Sequence, residues 1–108
     1  MNRGDVVVVA LSGDYGKPRP ALVVQSDLFS EHPSVTLAPV TSTIVDAPLF
    51  RVTVEPSATN GLRAISQVMV DKLTTVRRDK VARTVGHLAD DAMLRVSRAL
   101  VLWLGIAA

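Results

Sequence analysis

Six residues near the start of the chain, Val6 to Leu11, form an unbroken apolar run, and four of them are valine. β-Branched side chains lose rotamer freedom in a helix and fit the pleated surface of a sheet. A run of this length with no polar alternation, entering the polar stretch Ser12-Gly13-Asp14-Tyr15-Gly16, therefore predicts a buried strand that ends in a loop. The bias extends over the whole chain, which has 18 valines against four aromatic residues. The expected fold is mainly β.

A second apolar run, Ala21 to Gln25, follows at once, and Lys17-Pro18-Arg19-Pro20 joins the two. Each proline fixes its own φ and restricts the residue before it, so Arg19 is held in a stiff, extended frame. Further strands are predicted at Val35–Thr41, Phe50–Glu55 and Ile65–Val70, the last two bounded by Pro48, Pro56 and Asn60-Gly61, with a short one from Val81 to His87. The tail reads differently. Asp90-Asp91 places acids at the front of a segment of helix formers that ends before Gly105, which predicts a helix with Met93, Val96 or Ser97, Leu100 and Leu104 on one apolar face and Arg95 and Arg98 on the other side. The architecture expected is a small, strongly bent sheet or open barrel closed by a C-terminal helix.

At 108 residues and 48% hydrophobic content the chain reads as a single domain, residues 1–108, with one core. An apolar tail that includes Leu100, Val101, Trp103 and Leu104 leaves surface for a second copy, so a homodimer is expected. The absence of cysteine excludes disulfides, thiolate metal sites and thiol nucleophiles. Val6 to Leu11 is too short to span a membrane and has no basic stretch before it, so a cytoplasmic protein is expected.

Charge is unevenly spread. Residues 1–50 carry three Lys/Arg and five Asp/Glu, a balance of −2, whereas residues 51–108 carry nine and five, a balance of +4. Nine of the twelve cations are arginine, whose planar fork pairs bidentately with phosphate, and the densest group is Lys72, Arg77, Arg78, Lys80 and Arg83. Such a run reads first as a solvated face and second as a site for an anionic polymer.

Few chemistries remain. His32 and His87 are the only imidazoles and neither sits in a metal-ligand pattern, so no metal and no cofactor is expected. There is no phosphate-binding glycine loop, no nucleophile elbow and no paired-carboxylate motif. What the predicted strand ends do carry is Arg19 between its prolines, Thr41-Ser42-Thr43 and Asp71-Lys72. An arginine, hydroxyls and a carboxylate suffice for RNA cleavage in which the ribose 2′-hydroxyl attacks the neighbouring phosphate and a cation neutralises the developing phosphorane. Taken singly, each has a plain structural reading: a loop arginine, a turn and a strand-end surface pair.

Taken together, Arg3-Gly4-Asp5-Val6, Lys17-Pro-Arg-Pro-Ala-Leu-Val-Val-Gln25, Ala38-Pro-Val-Thr-Ser42 and Asp71-Lys-Leu-Thr-Thr-Val76 resemble, in order and over about residues 3–104, the MazF/PemK toxin family. The resemblance implies an SH3-like open barrel with a C-terminal helix and a homodimer. It also implies sequence-specific, metal-independent cleavage of single-stranded RNA, and a cognate antitoxin whose disordered tail crosses the active face. Arg19 matches the family's catalytic arginine, Thr41 the threonine after the third strand, Ser42 its hydroxyl neighbour, and Asp71 a functional acid of some members. Lys17, Thr43, Lys72, Arg77, Arg78 and Lys80 are the expected RNA-binding residues. Another register puts Ser66-Gln67 in place of Asp71-Lys72.

The loop before Arg19 is shorter than is common in the family, leaving Asp14, Tyr15 and Lys17 as its polar residues. Two other readings stay open. The segment Trp103-Leu104-Gly105-Ile106 is similar to the C-terminal Trp-Gly-Ile of CcdB-like gyrase poisons, with an extra leucine, although a packed tryptophan and a helix-stop glycine explain it more simply. A nonenzymatic nucleic-acid-binding barrel is the third.

Overall fold

The structure, a computed structural model, describes residues 1–11 and 16–107. Among the described residues there are seven strands and one α-helix: β1 (Asp5–Ala10), β2 (Pro18–Val23), β3 (Ser34–Thr41), β4 (Arg51–Val54), β5 (Ser66–Met69), β6 (Thr74–Arg77), β7 (Val81–His87) and α1 (Asp90–Trp103). All strand pairs are antiparallel, in the order β4-β5-β3-β2-β1-β7. The far edge of β3 is shared: Ser34–Leu37 pair with β6, and Val40–Thr41 pair with β5. This is the mainly β, open, bent sheet with a C-terminal helix that the sequence predicts.

The valine run is explained by two cores, one on each face of β1. Val6 joins Leu22, Val40, Val68, Val70 and Leu88 on the side that α1 covers. Val7 and Val9 join Ala21, Val23, Val35 and Leu37 on the other. With Val6 on one core and Val7 and Val9 on the other, little of β1 is left for solvent and its polar alternation disappears, although Val8 is half-buried and Ala10 exposed. Register shifts between Val6 and Val7 and between Val8 and Val9 bend β1 against β7, as bulges do.

The strand β2 starts earlier than the apolar pattern indicates. Pro18, Arg19 and Pro20 already pair with Ala10, Val9 and Val8. Both prolines lie beyond Ala21, the first β2 residue that pairs with β3, so their missing N–H groups leave no gap in that ladder. Thr74–Arg77 is a strand that the basic cluster concealed. The helix has the expected acids in its first turn and Gly105 at φ +72° beyond its end, and of the expected apolar face Met93 and Val96 are buried and Leu100 packs against the same core. Ala92, Met93, Val96 and Ala99 are buried, whereas Leu104 is 56% exposed. Ser97 accepts a hydrogen bond from the Arg3 guanidinium at 3.0 Å. Trp103 rests on Phe50 with ring centroids 5.8 Å apart. Among the described residues no helix is long and apolar enough to cross a membrane.

Candidate active site

A cleft of about 680 Å³ opens between the start of β2, the end of β3 and the middle of β7, and the chain between β4 and β5 closes one side. Arg19, Thr41, Ser42 and Thr43 all line it. Arg19 enters from an exposed position in β2 opposite Val9, its backbone extended by strand pairing and by the prolines on either side. The fold therefore brings together residues that are 22 or more positions apart in the chain.

Thr41 is the last residue of β3, and its Oγ1 accepts a hydrogen bond from the Thr43 N–H at 3.1 Å. This small turn closes the strand and presents Ser42 and Thr43 to solvent. Because Thr41 Oγ1 accepts from the backbone, its own O–H remains a donor for an anion in the cleft. Gln67, in β5 opposite Thr41, is almost fully buried and fixes the chain that follows. Its Nε2 donates to Val45 O at 2.9 Å and Thr53 Oγ1 at 3.1 Å, and its Oε1 accepts from Val45 N at 3.1 Å. Ser66 Oγ donates to Ala64 O at 2.9 Å, anchoring the cleft wall. Ser66 and Gln67 thus support the hydroxyl turn.

Two further cations line the cleft, Arg63 after the Asn60-Gly61 turn and Arg83 in β7. Sequence reasoning missed Arg63 altogether and saw Arg83 only as part of a basic run. Strand pairing held the missing signal: Arg83 stands opposite Val8 and Val8 opposite Pro20, which carries β7 across β1 to the arginine frame of β2. Among the described lining residues there is no Asp or Glu.

The expectation that Asp71 joins this cleft is corrected by its geometry. Asp71 accepts two hydrogen bonds from Arg51, Nε to Oδ1 at 2.7 Å and Nη2 to Oδ2 at 3.1 Å, and both side chains are largely buried at 12% and 17% exposure. The guanidinium holds the Asp71 carboxyl below the usual carboxylate range, outweighing the opposite push of burial. Asp71 does not line the cleft, and its carboxylate is already engaged.

Apart from Arg83, the basic cluster also lies outside the lining. Lys72 and Lys80 are exposed, Arg77 pairs with Asp79, and Arg78 donates to His32 O at 2.8 Å and Phe29 O at 3.3 Å. Lys17 is exposed immediately before β2. Asp14 and Tyr15 lie outside the described residues. The two histidines are elsewhere. His32 Nδ1 accepts from Ser34 N at 3.0 Å, and His87 Nδ1 lies 2.9 Å from Asp5. Burial works against ionisation of Asp5, yet the Asn2 N–H and His87 together hold its carboxyl below the ordinary range. No three His, Cys, Asp or Glu side chains gather into a metal-binding group among the described residues.

A family model described as PemK-like, MazF-like toxin of type II toxin–antitoxin system matches residues 2–104. The chain is 47% identical over 108 residues to the probable endoribonuclease MazF of Mycolicibacterium smegmatis, covering 99% of each. It is 27% identical over 111 residues to the endoribonuclease EndoA of Bacillus subtilis, covering 98% of this chain and 96% of the relative. Among solved structures, a mycobacterial endoribonuclease in complex with its cognate antitoxin superimposes with a TM-score of 0.84 at 23% identity, covering 100% of this chain and 98% of that one. The Mycobacterium tuberculosis toxin MazF-mt6 superimposes with a TM-score of 0.82 at 25% identity, covering 96% and 99%.

Proposed function

The chain belongs to the PemK-like, MazF-like family of type II toxin–antitoxin toxins, and from that premise we propose that it is an endoribonuclease that cuts single-stranded RNA in the Arg19 cleft. The observation that carries the reading is the convergence of Arg19, Thr41 and Ser42 in one cleft from separate strands. In this reading the ribose 2′-oxygen forms a bond to phosphorus as the bond from phosphorus to O5′ breaks. One proton leaves the 2′-hydroxyl and one arrives at O5′, giving a 2′,3′-cyclic phosphate and a 5′-hydroxyl. The Arg19 guanidinium faces the charge that builds on the phosphorane oxygens, and the Thr41 and Ser42 hydroxyls donate to the same oxygens. The substrate supplies its own nucleophile, so the reaction proceeds in EDTA.

Lys17, exposed just before β2, and Thr43, which lines the cleft, steer the strand in. Lys72, Arg77 and Lys80 add sequence-independent phosphate attraction from an exposed face away from the cleft. Arg78, bonded to two carbonyls, holds the Phe29–His32 turn. Asp71 serves the fold through Arg51.

The same likenesses supply the partner, a cognate antitoxin, as in the mycobacterial complex. An acidic, disordered segment that orders in the cationic cleft would block it. A second copy of the chain covers the exposed apolar side chains Leu49, Leu102, Trp103 and Leu104. The chain works as one domain in the cytoplasm, where its RNA substrate is found.

Arg19→Ala tests the assignment. Loss of one preorganised donor to a developing oxyanion typically costs on the order of a hundredfold to a thousandfold in kcat. The variant is expected to keep the wild-type circular dichroism spectrum and to bind RNA while hardly cutting it. A variant as active as wild type removes Arg19 from the chemistry.

A further inference from the structure

Arg63 and Arg83 are both exposed. Neither makes a hydrogen bond or ion pair with a described residue, whereas Arg3, Arg51, Arg78 and Arg95 are each committed to an oxygen of the protein. Both line the cleft that contains Arg19. Like charges in one cleft repel, so such a grouping is stabilised when an anion enters it.

The fold nevertheless fixes these two side chains' backbones against each other. Gly61 has φ +70°, and a Cβ there would lie 2.4 Å from Val85 O. A Cβ on Gly86 would lie 2.3 Å from the Asn60 carbonyl carbon. Loop and strand therefore meet backbone on backbone, an approach that only glycine permits. The His87 N–H donates to Thr59 O at 2.8 Å across the same junction. Asn60, buried beneath, donates to Glu55 O at 2.9 Å and accepts from Ser57 N and Leu62 N, both at 3.0 Å. The junction is two residues from Arg63 and two from Arg83. It holds the two carriers in register before any ligand arrives, which lowers the ordering cost of binding.

We infer that Arg63 and Arg83 form a preorganised clamp for the RNA phosphates on either side of the scissile one. The inference rests on the ribonuclease reading and extends it: Arg19 and Thr41 serve the reacting phosphate, and the clamp binds its neighbours. A substrate must then carry charged phosphates on both sides of the cut. The clamp contributes to binding more than to the chemical step.

The test compares wild type with Arg63→Gln/Arg83→Gln on a single-stranded RNA oligonucleotide containing the mapped cut site. KM should rise on the order of tenfold to a hundredfold, with kcat changed by less than about threefold. Binding of the uncut 2′-O-methyl form should show a log K against log salt slope shallower by about 1.4, two phosphates at roughly 0.7 each. Methylphosphonates at the two flanking linkages should raise the wild-type KM to the level of the variant and leave the variant unmoved. Arg63→Lys/Arg83→Lys, which keeps the charge but loses the planar fork, should recover part of the affinity. Unchanged KM and slope in the glutamine variant, or equal sensitivity of both proteins to neutral flanks, overturns the clamp. A wild type that binds RNA without cutting it overturns the ribonuclease reading instead, and the salt slope still decides the clamp.

Discussion

Arg51 and the pair Arg63 and Arg83 are the same kind of side chain placed on or beside the same sheet, and the protein uses them in opposite ways. Arg51 lies bidentate on Asp71 in a largely buried junction. It lines a second cavity, of about 400 Å³, that runs beneath α1 and shares no residue with the Arg19 cleft. Arg63 and Arg83 are exposed, and no described carboxylate lines their cleft. An arginine with an internal carboxylate is satisfied by the fold and has little left to offer a ligand. One without keeps its donors for an anion that arrives later. Arginine content therefore says little about function until each guanidinium's partner is known.

The sharpest way to break this comparison is to remove the internal cation. Arg51→Ala leaves Asp71 as a largely buried carboxylate without its partner, and breaking such a pair costs about 2–4 kcal/mol, discounted for the remaining exposure. Urea unfolding should show that loss, while kcat of the protein that remains folded stays within about twofold of wild type. A collapse of kcat with stability intact would move the pair into the chemistry.

A smaller effect comes from acid. Asp71 and Asp5 are both held below their ordinary carboxylate range in the folded state. The unfolded state binds protons first as pH falls, so each group contributes stability that is fully present above the ordinary carboxylate pKa, about 4. That stability is lost as pH drops through the lower, folded value. Thermal unfolding followed from pH 6 down to pH 2 should show the loss beginning near pH 5, and Asp71→Asn should be less stable at neutral pH with a flatter acid limb. An identical acid limb in the variant would show that the Arg51 pair does not link folding to pH.

The parts of the molecule that local pattern could reveal were those whose cause is local. The valine run, the acids before α1 and the two prolines around Arg19 each act within a few residues, and each appears in the structure where the pattern points. The helix face was legible at Met93, Val96 and Leu100, whereas the small Ala92 and Ala99, which a hydropathy pattern underrates, join it in the core and Leu104, past the end of α1, is 56% exposed. The strand Thr74–Arg77 was hidden because three of its four side chains are polar or basic, with Val76 turned to the core, and its partner is the first half of β3, some forty residues earlier. Asp71 was misplaced for the same reason. Arg51 and Asp71 meet because β4 and β5 pair with Arg51 opposite Met69, a register no local pattern encodes. Arg63 needed the contact between Gly61 and Val85, and Arg83 the bulged pairing of β1 with β7.

The central claim is that the RNA supplies the nucleophile and the Arg19 cleft stabilises what it forms. The most direct measurement replaces one atom of the substrate: a single 2′-deoxynucleotide at the mapped cut site of a single-stranded RNA oligonucleotide, with cleavage followed in EDTA and binding measured in parallel. The account predicts that the all-ribose strand is cut to a 2′,3′-cyclic phosphate and a 5′-hydroxyl, and that the deoxy strand binds with nearly the same affinity and is not cut there. Cleavage of the deoxy strand at the wild-type rate, or products carrying a 5′-phosphate, would mean that water or a protein group attacks the phosphorus and would contradict the account.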